Sequence, residues 1–271
     1  MCADAMGFDA EIDLEATFTC GQLYHWWRDG DRYVTTIGDE RIAVRATETG
    51  VAVDAPGLER DTVRRFFGLD DDLDAILGAV AVDAPTRRAV ERHRGLRLLD
   101  IDPWPCIVGF VASQRATVER TTAMVRRLCE RHGPTFDETV HGVPSPETLA
   151  ALEPSALRDI GFGYRADYLV GAARRVADGD VDLCAVAEMP YEGARHELQR
   201  LPGVGDKVAD CVAIFGLGRR DVVAIDARIG AVIDEHYPEL ARDGYRETAD
   251  AFRDRFSPHT SYAQTYLYHD H

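Results

Sequence analysis

The chain has 271 residues, 45% of them apolar, and a formal net charge of -16. That is enough to bury a substantial core in one or two domains. No apolar run reaches eighteen residues, which excludes a membrane-spanning helix. The acidic balance argues against nucleic-acid binding by bulk charge.

The six cysteines (Cys2, Cys20, Cys106, Cys129, Cys184 and Cys211) are scattered without a C-x-x-C pair. This predicts no metal site and a reducing, intracellular compartment. Met1 to Leu14 carries acidic residues and no basic stretch, so no secretory signal is expected and the protein is read as cytoplasmic. An acidic, lysine-poor composition fits a halophilic cytoplasm, where charge is screened within ~3 Å at 1 M salt.

Tyr33–Ile37, Arg41–Arg45 and Val51–Val53 read as short strands, punctuated by Gly38-Asp39 and Thr49-Gly50. Helices are predicted over Asp61–Phe67, Asp71–Val80 and from Thr86 to Arg94. From about residue 100 the pattern becomes helical, with Pro105–Ser113 and Val118–His132 apolar at helical spacing. Ser145 caps the next helix, with Pro146 at its first position. Helices over Pro154–Ile160 and Ala166–Asp178 flank the turn Gly161-Phe162-Gly163-Tyr164-Arg165. Ala227–Glu235, Tyr245–Arg255 and Tyr262–Tyr268 complete the series. The shift from strands to helices sets one soft boundary, giving segments 1–99 and 100–271. Arginines cluster at Arg87, Arg88, Arg92, Arg94 and Arg97, and at Arg115, Arg120, Arg126 and Arg127; most are read as solvated helix faces.

The chemistry concentrates in Leu201-Pro202-Gly203-Val204-Gly205-Asp206-Lys207-Val208-Ala209-Asp210-Cys211. Ala194–Arg200 suits a helix, and Val208, Cys211, Val212 and Phe215 continue a second one, so the unit is helix–hairpin–helix. Gly203 and Gly205 permit positive φ, and Asp206 is the expected N-cap. Backbone N–H groups at such a turn form an anion site suited to a DNA phosphate. Lys207 is the only lysine in the chain. Arginine cannot replace lysine where an amine must lose its proton and attack carbon. Asp226, nineteen residues on, is placed to cap the helix that follows it and to face the same cleft. A carboxylate there would stabilise positive charge on a sugar rather than activate the amine.

Leu201 to Asp226 resembles the helix-hairpin-helix DNA glycosylases that end in a Gly/Pro-rich loop and an aspartate. Within them the chain is most similar to the eukaryotic-type 8-oxoguanine DNA glycosylases. Cys20-Gly21-Gln22 with Trp26, Phe67-Gly68-Leu69-Asp70, His141–Ser145 and Gly161–Ala166 extend the likeness over nearly the whole chain. The resemblance implies an α+β fold. An N-terminal antiparallel sheet with helices (TBP-like) would pack on an all-helical domain containing the hairpin. It also implies excision of 8-oxoguanine from duplex DNA by base flipping, then a lysine Schiff base and β-elimination. No cofactor is implied. The expected partner is damaged double-stranded DNA, met by a monomer in the nucleoid and not at a membrane.

Carried over by position, Lys207 corresponds to the Schiff-base lysine and Asp226 to the catalytic aspartate. Gly21 offers its carbonyl to the lesion's N7 hydrogen, and Gln264 reads the Watson–Crick edge. Cys211 and Tyr268 sandwich the base, with Tyr268 in place of a phenylalanine. Tyr164 is the wedge; Arg120 and Arg165 hold the orphaned cytosine. Two positions depart from the family: Arg115 replaces an asparagine at the orphaned base, and Arg228 replaces a histidine near the lesion's phosphate. Trp26 is equally compatible with plain core. Two other readings stay open: a glycosylase for alkylated bases, against which Lys207 counts, and a non-catalytic hairpin module, against which Asp226 counts.

Overall fold

The computed structural model describes residues 5–271; Cys2 and the Met1 amine lie outside the described residues. Five strands, β1 (Met6–Asp9), β2 (Trp27–Asp29), β3 (Arg32–Ile37), β4 (Glu40–Ala46) and β5 (Gly50–Asp54), form one antiparallel sheet of order β1-β5-β4-β3-β2. Alternation gives the sheet two buried faces. Tyr33, Ile42, Val44, Val51 and Val53 face the main core, while Val34 and Ala43 face Val140 and Phe136.

Helix α1 (Leu14–Thr19) lies between β1 and β2 in the chain, and α2 (Arg60–Phe66), α3 (Leu73–Val80) and α4 (Ala84–Arg92) follow the sheet. The helical half begins with α5 (Pro103–Ala112), α6 (Val118–His132), α7 (Pro146–Ala150), α8 (Pro154–Arg158) and α9 (Arg165–Ala177). It continues with α10 (Leu183–Glu188), α11 (Tyr191–Leu198), α12 (Asp206–Phe215), α13 (Ala227–His236), α14 (Tyr245–Phe256) and α15 (Thr260–Asp270). Local chemistry sets many starts. Thr117, Ser145, Asp182 and Asp226 each accept a backbone N–H of the turn they cap.

The predicted strands and most predicted helices are present within a few residues. Five elements are additional: β1, β2, α1, α10 and a short 3-10 helix over Pro238–Leu240. One expectation is corrected. Asp206 is not the N-cap of α12; Gly205 is, and the Asp206 carboxylate instead accepts from Gln199 Nε2 at 2.7 Å and pairs with Arg195.

The last helix ties the two halves together. α15 packs on α3 and α4; Tyr262 Oη donates to Asp71 Oδ2 at 2.6 Å and Tyr266 Oη to the Leu96 carbonyl at 2.9 Å. Gln22 makes a tie within the sheet-bearing half. Its amide donates to the Thr17 and Arg97 carbonyls at 2.8 Å each and accepts from Leu99 N at 2.8 Å. Arg97 is buried rather than solvated, and donates to the carbonyls of Glu11, Gly68 and Asp71. These bonds fix the loop carrying Gly21 within the sheet-bearing half, and a cleft opens between that loop and the helical half.

Candidate active site

The hairpin joins α11 to α12. Gly203 has φ +81°, and a Cβ there would stand 2.7 Å from the Tyr168 Cβ, so only glycine fits. Gly205, expected to share the positive φ, is extended at φ -93°. A Cβ on Gly205 would meet nothing within 4 Å. The first N–H groups of α12 therefore lie at an open surface, where a phosphate can approach. Gln114 Nε2 donates to the Gly203 carbonyl at 2.8 Å and so ties the hairpin to the loop before α6.

Helix α12 carries Lys207 and Cys211 into a pocket of about 560 Å³, open at its mouth. The same pocket receives Gly21, Asp226, Gln264 and Tyr268, residues drawn from the sheet-bearing half, the loop before α13, and α15. The Lys207 ammonium lies 4.8 Å from the centre of the Phe110 ring, a cation–π distance. Burial lowers the pKa of Lys207, but Cys211, Asp226 and Tyr268 outweigh it and the net shift is upward. Burial pushes the Cys211 thiol up to about 11, so at neutral pH the sulfur is uncharged. Tyr268 is likewise raised, by burial first. The pocket thus holds the amine charged until a substrate displaces its surroundings.

Asp226 caps α13 with one oxygen: Oδ1 accepts from Arg228 N at 3.0 Å and Ile229 N at 2.9 Å. The capping and cleft-facing readings are both satisfied, since the capped side chain also lines the pocket. Gln264 is buried in α15, where its Oε1 accepts from Ala224 N at 2.6 Å. That bond fixes the amide's orientation and leaves its NH2 group to donate. Gly21 sits at φ +87°, and a Cβ there would lie 3.0 Å from Val118 Cγ2 and 3.8 Å from Tyr268 Oη. A side chain at this position would fill the pocket.

A second, wider groove adjoins the pocket and is lined by Arg115, Arg120 and Arg228 together with Asp226 and Tyr268. Arg115 and Arg120 are exposed and, among the described residues, neither pairs with an acidic side chain. With three arginines against the carboxylates of Glu119 and Asp226, the groove carries a small net positive charge although the whole chain is acidic. The Arg228 guanidinium lies 4.6 Å over the Tyr268 ring and donates to the Tyr268 carbonyl at 3.3 Å.

Tyr164, at the start of α9, is 46% exposed, unusual for an aromatic, and meets Tyr168 edge to face at 5.8 Å. Arg165 behaves differently from a solvent-facing reader. It is buried, and its guanidinium donates to the main-chain carbonyls of Gln114 and Phe162. Two of its five N–H groups remain for any further partner. Trp26 belongs to the core of the sheet-bearing half, packed on Phe18 and Tyr33.

Phe110 and Gln114 take part in the site and were not singled out in the sequence. Phe110 looks like any core residue of an apolar helix, and only the fold reveals that its ring lies beneath Lys207. Among the described residues no cluster of three metal-ligating side chains occurs, and no helix is long and apolar enough to cross a membrane.

Comparison with known proteins agrees with this geometry. Residues 108–258 match the family described as HhH-GPD superfamily base excision DNA repair protein, and residues 7–107 match the 8-oxoguanine DNA glycosylase N-terminal domain. The chain belongs to the HhH-GPD superfamily of base excision DNA repair proteins, and within it to the 8-oxoguanine DNA glycosylase type. It is 28% identical over 261 residues to an N-glycosylase/DNA lyase of Saccharomyces cerevisiae, covering 84% of this chain and 69% of that one. It is 27% identical over 280 residues to N-glycosylase/DNA lyase OGG1 of Arabidopsis thaliana, covering 95% and 77%. A solved structure of MBOgg1 with a low-affinity DNA ligand is similar at a TM-score of 0.88 and 25% identity, covering 96% of this chain and 92% of that one.

Proposed function

We propose that the protein is a bifunctional DNA glycosylase and AP lyase that excises 8-oxoguanine from duplex DNA. The observation that carries this reading is the chain's single lysine, held in a pocket with Asp226 at the start of a neighbouring helix. The segments 1–99 and 100–271 form the two walls of the cleft.

In this reading the groove arginines Arg115, Arg120 and Arg228 and the hairpin N–H groups at Gly203 and Gly205 hold the phosphates and the orphaned base. Tyr164 fills the gap left in the stack. The flipped base lies between Cys211 and Tyr268, its N7 hydrogen donated to the Gly21 carbonyl and its oxygen edge facing the Gln264 amide. Lys207, once deprotonated, donates its lone pair to the anomeric carbon as the bond to the base breaks and the electron pair leaves with the base. Asp226 stabilises the positive charge that develops on the sugar. The resulting N,O-acetal opens as the C1′–O4′ bond breaks: the nitrogen lone pair forms the C=N bond of a Schiff base, and O4′ takes up the proton released from the lysine nitrogen. Removal of a C2′ proton then expels the 3′ phosphate.

The test is single-turnover excision on duplexes bearing 8-oxoguanine, an alkylated purine or undamaged guanine, each opposite all four bases. Release of 8-oxoguanine with strand cleavage supports the reading. Release of the alkylated purine alone would replace it. We further propose adaptation to high salt, from the acidic, lysine-poor composition. Excision should persist at molar potassium chloride, where phosphate-driven binding ordinarily weakens steeply; unfolding there would overturn that reading.

A further inference from the structure

Two consecutive backbone N–H groups lead into Asp226, and each is held by a side chain from a different helix. Ala224 N donates to Gln264 Oε1 of α15 at 2.6 Å, and Ile225 N donates to Tyr245 Oη of α14 at 3.2 Å. The Tyr245 hydroxyl donates onward to Asp210 Oδ2 at 2.7 Å. Asp210 is fully buried in α12, one residue before Cys211, and its other oxygen accepts from Tyr191 Oη at 2.7 Å and Arg195 Nε at 3.0 Å. Residues 222–226 lie in no helix or strand, so no ladder of backbone bonds fixes their place.

We propose that Tyr245 is a positioning residue for Asp226, tethering the segment that carries the carboxylate to the helix that carries Lys207. The inference rests on the role given to Asp226 above. The Asp226 carboxylate is already oriented within its own helix by the Arg228 and Ile229 N–H groups. What those bonds leave open is where the start of α13 stands relative to α12. Tyr245 closes that gap with one hydroxyl that accepts from Ile225 and donates to Asp210. Burial, with Asp210 beside it, keeps the phenol protonated and so able to donate. Tyr245 does not line the pocket and acts only through the main chain. A misplacement near 1 Å can cost about 10²-fold in rate.

The experiment compares Tyr245→Phe with Tyr191→Phe. Each loses a hydroxyl bond to Asp210, but only Tyr245 also holds Ile225. Tyr245→Phe should lower single-turnover excision of 8-oxoguanine by about tenfold or more, with unchanged affinity for lesion duplex, while Tyr191→Phe stays within about twofold of the native rate. In an Asp226→Asn background the Tyr245→Phe effect should vanish, because the tether then holds no charge. Amide exchange at Ile225, followed by NMR, should accelerate in Tyr245→Phe and not in Tyr191→Phe. Equal excision losses in the two phenylalanine variants, or an undiminished effect in the Asp226→Asn background, would overturn the proposal. If the native protein excises nothing, the functional reading fails, and the Ile225 exchange comparison still decides whether the tether exists.

Discussion

Replacing Arg115 by asparagine should change stability and base preference in the same protein, for separable reasons. Among the described non-glycine residues Arg115 alone has a left-handed backbone, at φ +50°. That conformation costs an ordinary side chain about 1 kcal/mol or more, whereas asparagine tolerates it. Arg115→Asn should therefore gain about 0.5–1 kcal/mol, which for a chain of this size raises Tm by roughly 1–3 °C. The second effect concerns the orphaned cytosine. An arginine only donates, and its longer exposed stem can turn to a phosphate, which carries no sequence information. An amide both donates and accepts. One restored base contact is worth about 1–3 kcal/mol of discrimination, or roughly 5- to 150-fold. The assay is single-turnover excision opposite C, A, G and T for the native protein, Arg115→Asn and Arg115→Gly. Glycine relaxes the backbone without supplying an amide, so only asparagine should sharpen the preference for C. Equal base profiles for all three proteins would refute a role for this position in reading the orphan. A fall in Tm for Arg115→Asn would refute the backbone argument.

Three further outcomes follow from the same geometry. Asp226→Asn keeps an oxygen for the Arg228 and Ile229 N–H groups, so Tm should hold while excision falls by about 10²-fold; normal excision with a lowered Tm would make the residue only a cap. Gly21→Ala must place a Cβ at φ +87° and 3.0 Å from Val118, so lesion affinity measured by titration should drop at least tenfold, about 1.4 kcal/mol; unchanged affinity would remove Gly21 from the pocket. Burial holds His25 neutral, with its pKa lowered to about 4 from an ordinary 6.5. The unfolded chain binds the proton first as pH falls. Stability should therefore decline from pH 6.5 to 4 by about 3 kcal/mol from this group alone. An NMR titration of the imidazole with a midpoint near 6.5 would contradict it.

Much of the helical half is readable because its signals are local. Val118–His132 follows from its apolar spacing and the Thr117 cap, and Ser145-Pro146 and Asp226 mark starts that any nearby sequence would respect. The missed elements depend on distant partners. β1 is four residues long and exists through its pairing of Met6 with Val53. β2 is three residues held by β3, and α10 is only six residues. Asp206 resembles a cap, yet Arg195 and Gln199 compete for its carboxylate and Gly205 takes the position. Arg165 reads as an exposed base between glycine turns, but the Gln114 and Phe162 carbonyls draw its donors inward. Lys207 and Asp226 could be chosen from residue type and spacing. Phe110 beneath the amine, and Tyr245 holding the strap to Asp226, are visible only when the helices have been packed.

The central claim is that Lys207 becomes covalently bonded to the sugar of the damaged nucleotide. Borohydride reduction during turnover of an 8-oxoguanine duplex would fix that bond and retard the protein on a denaturing gel. Lys207 is the only lysine in the sequence, so no other side-chain amine competes for the sugar and the background is small. The native protein should be trapped, with the cross-link mapped to Lys207 by peptide mass spectrometry. Lys207→Gln should bind the same duplex and give neither adduct nor base release. An adduct that persists in Lys207→Gln would contradict the assignment.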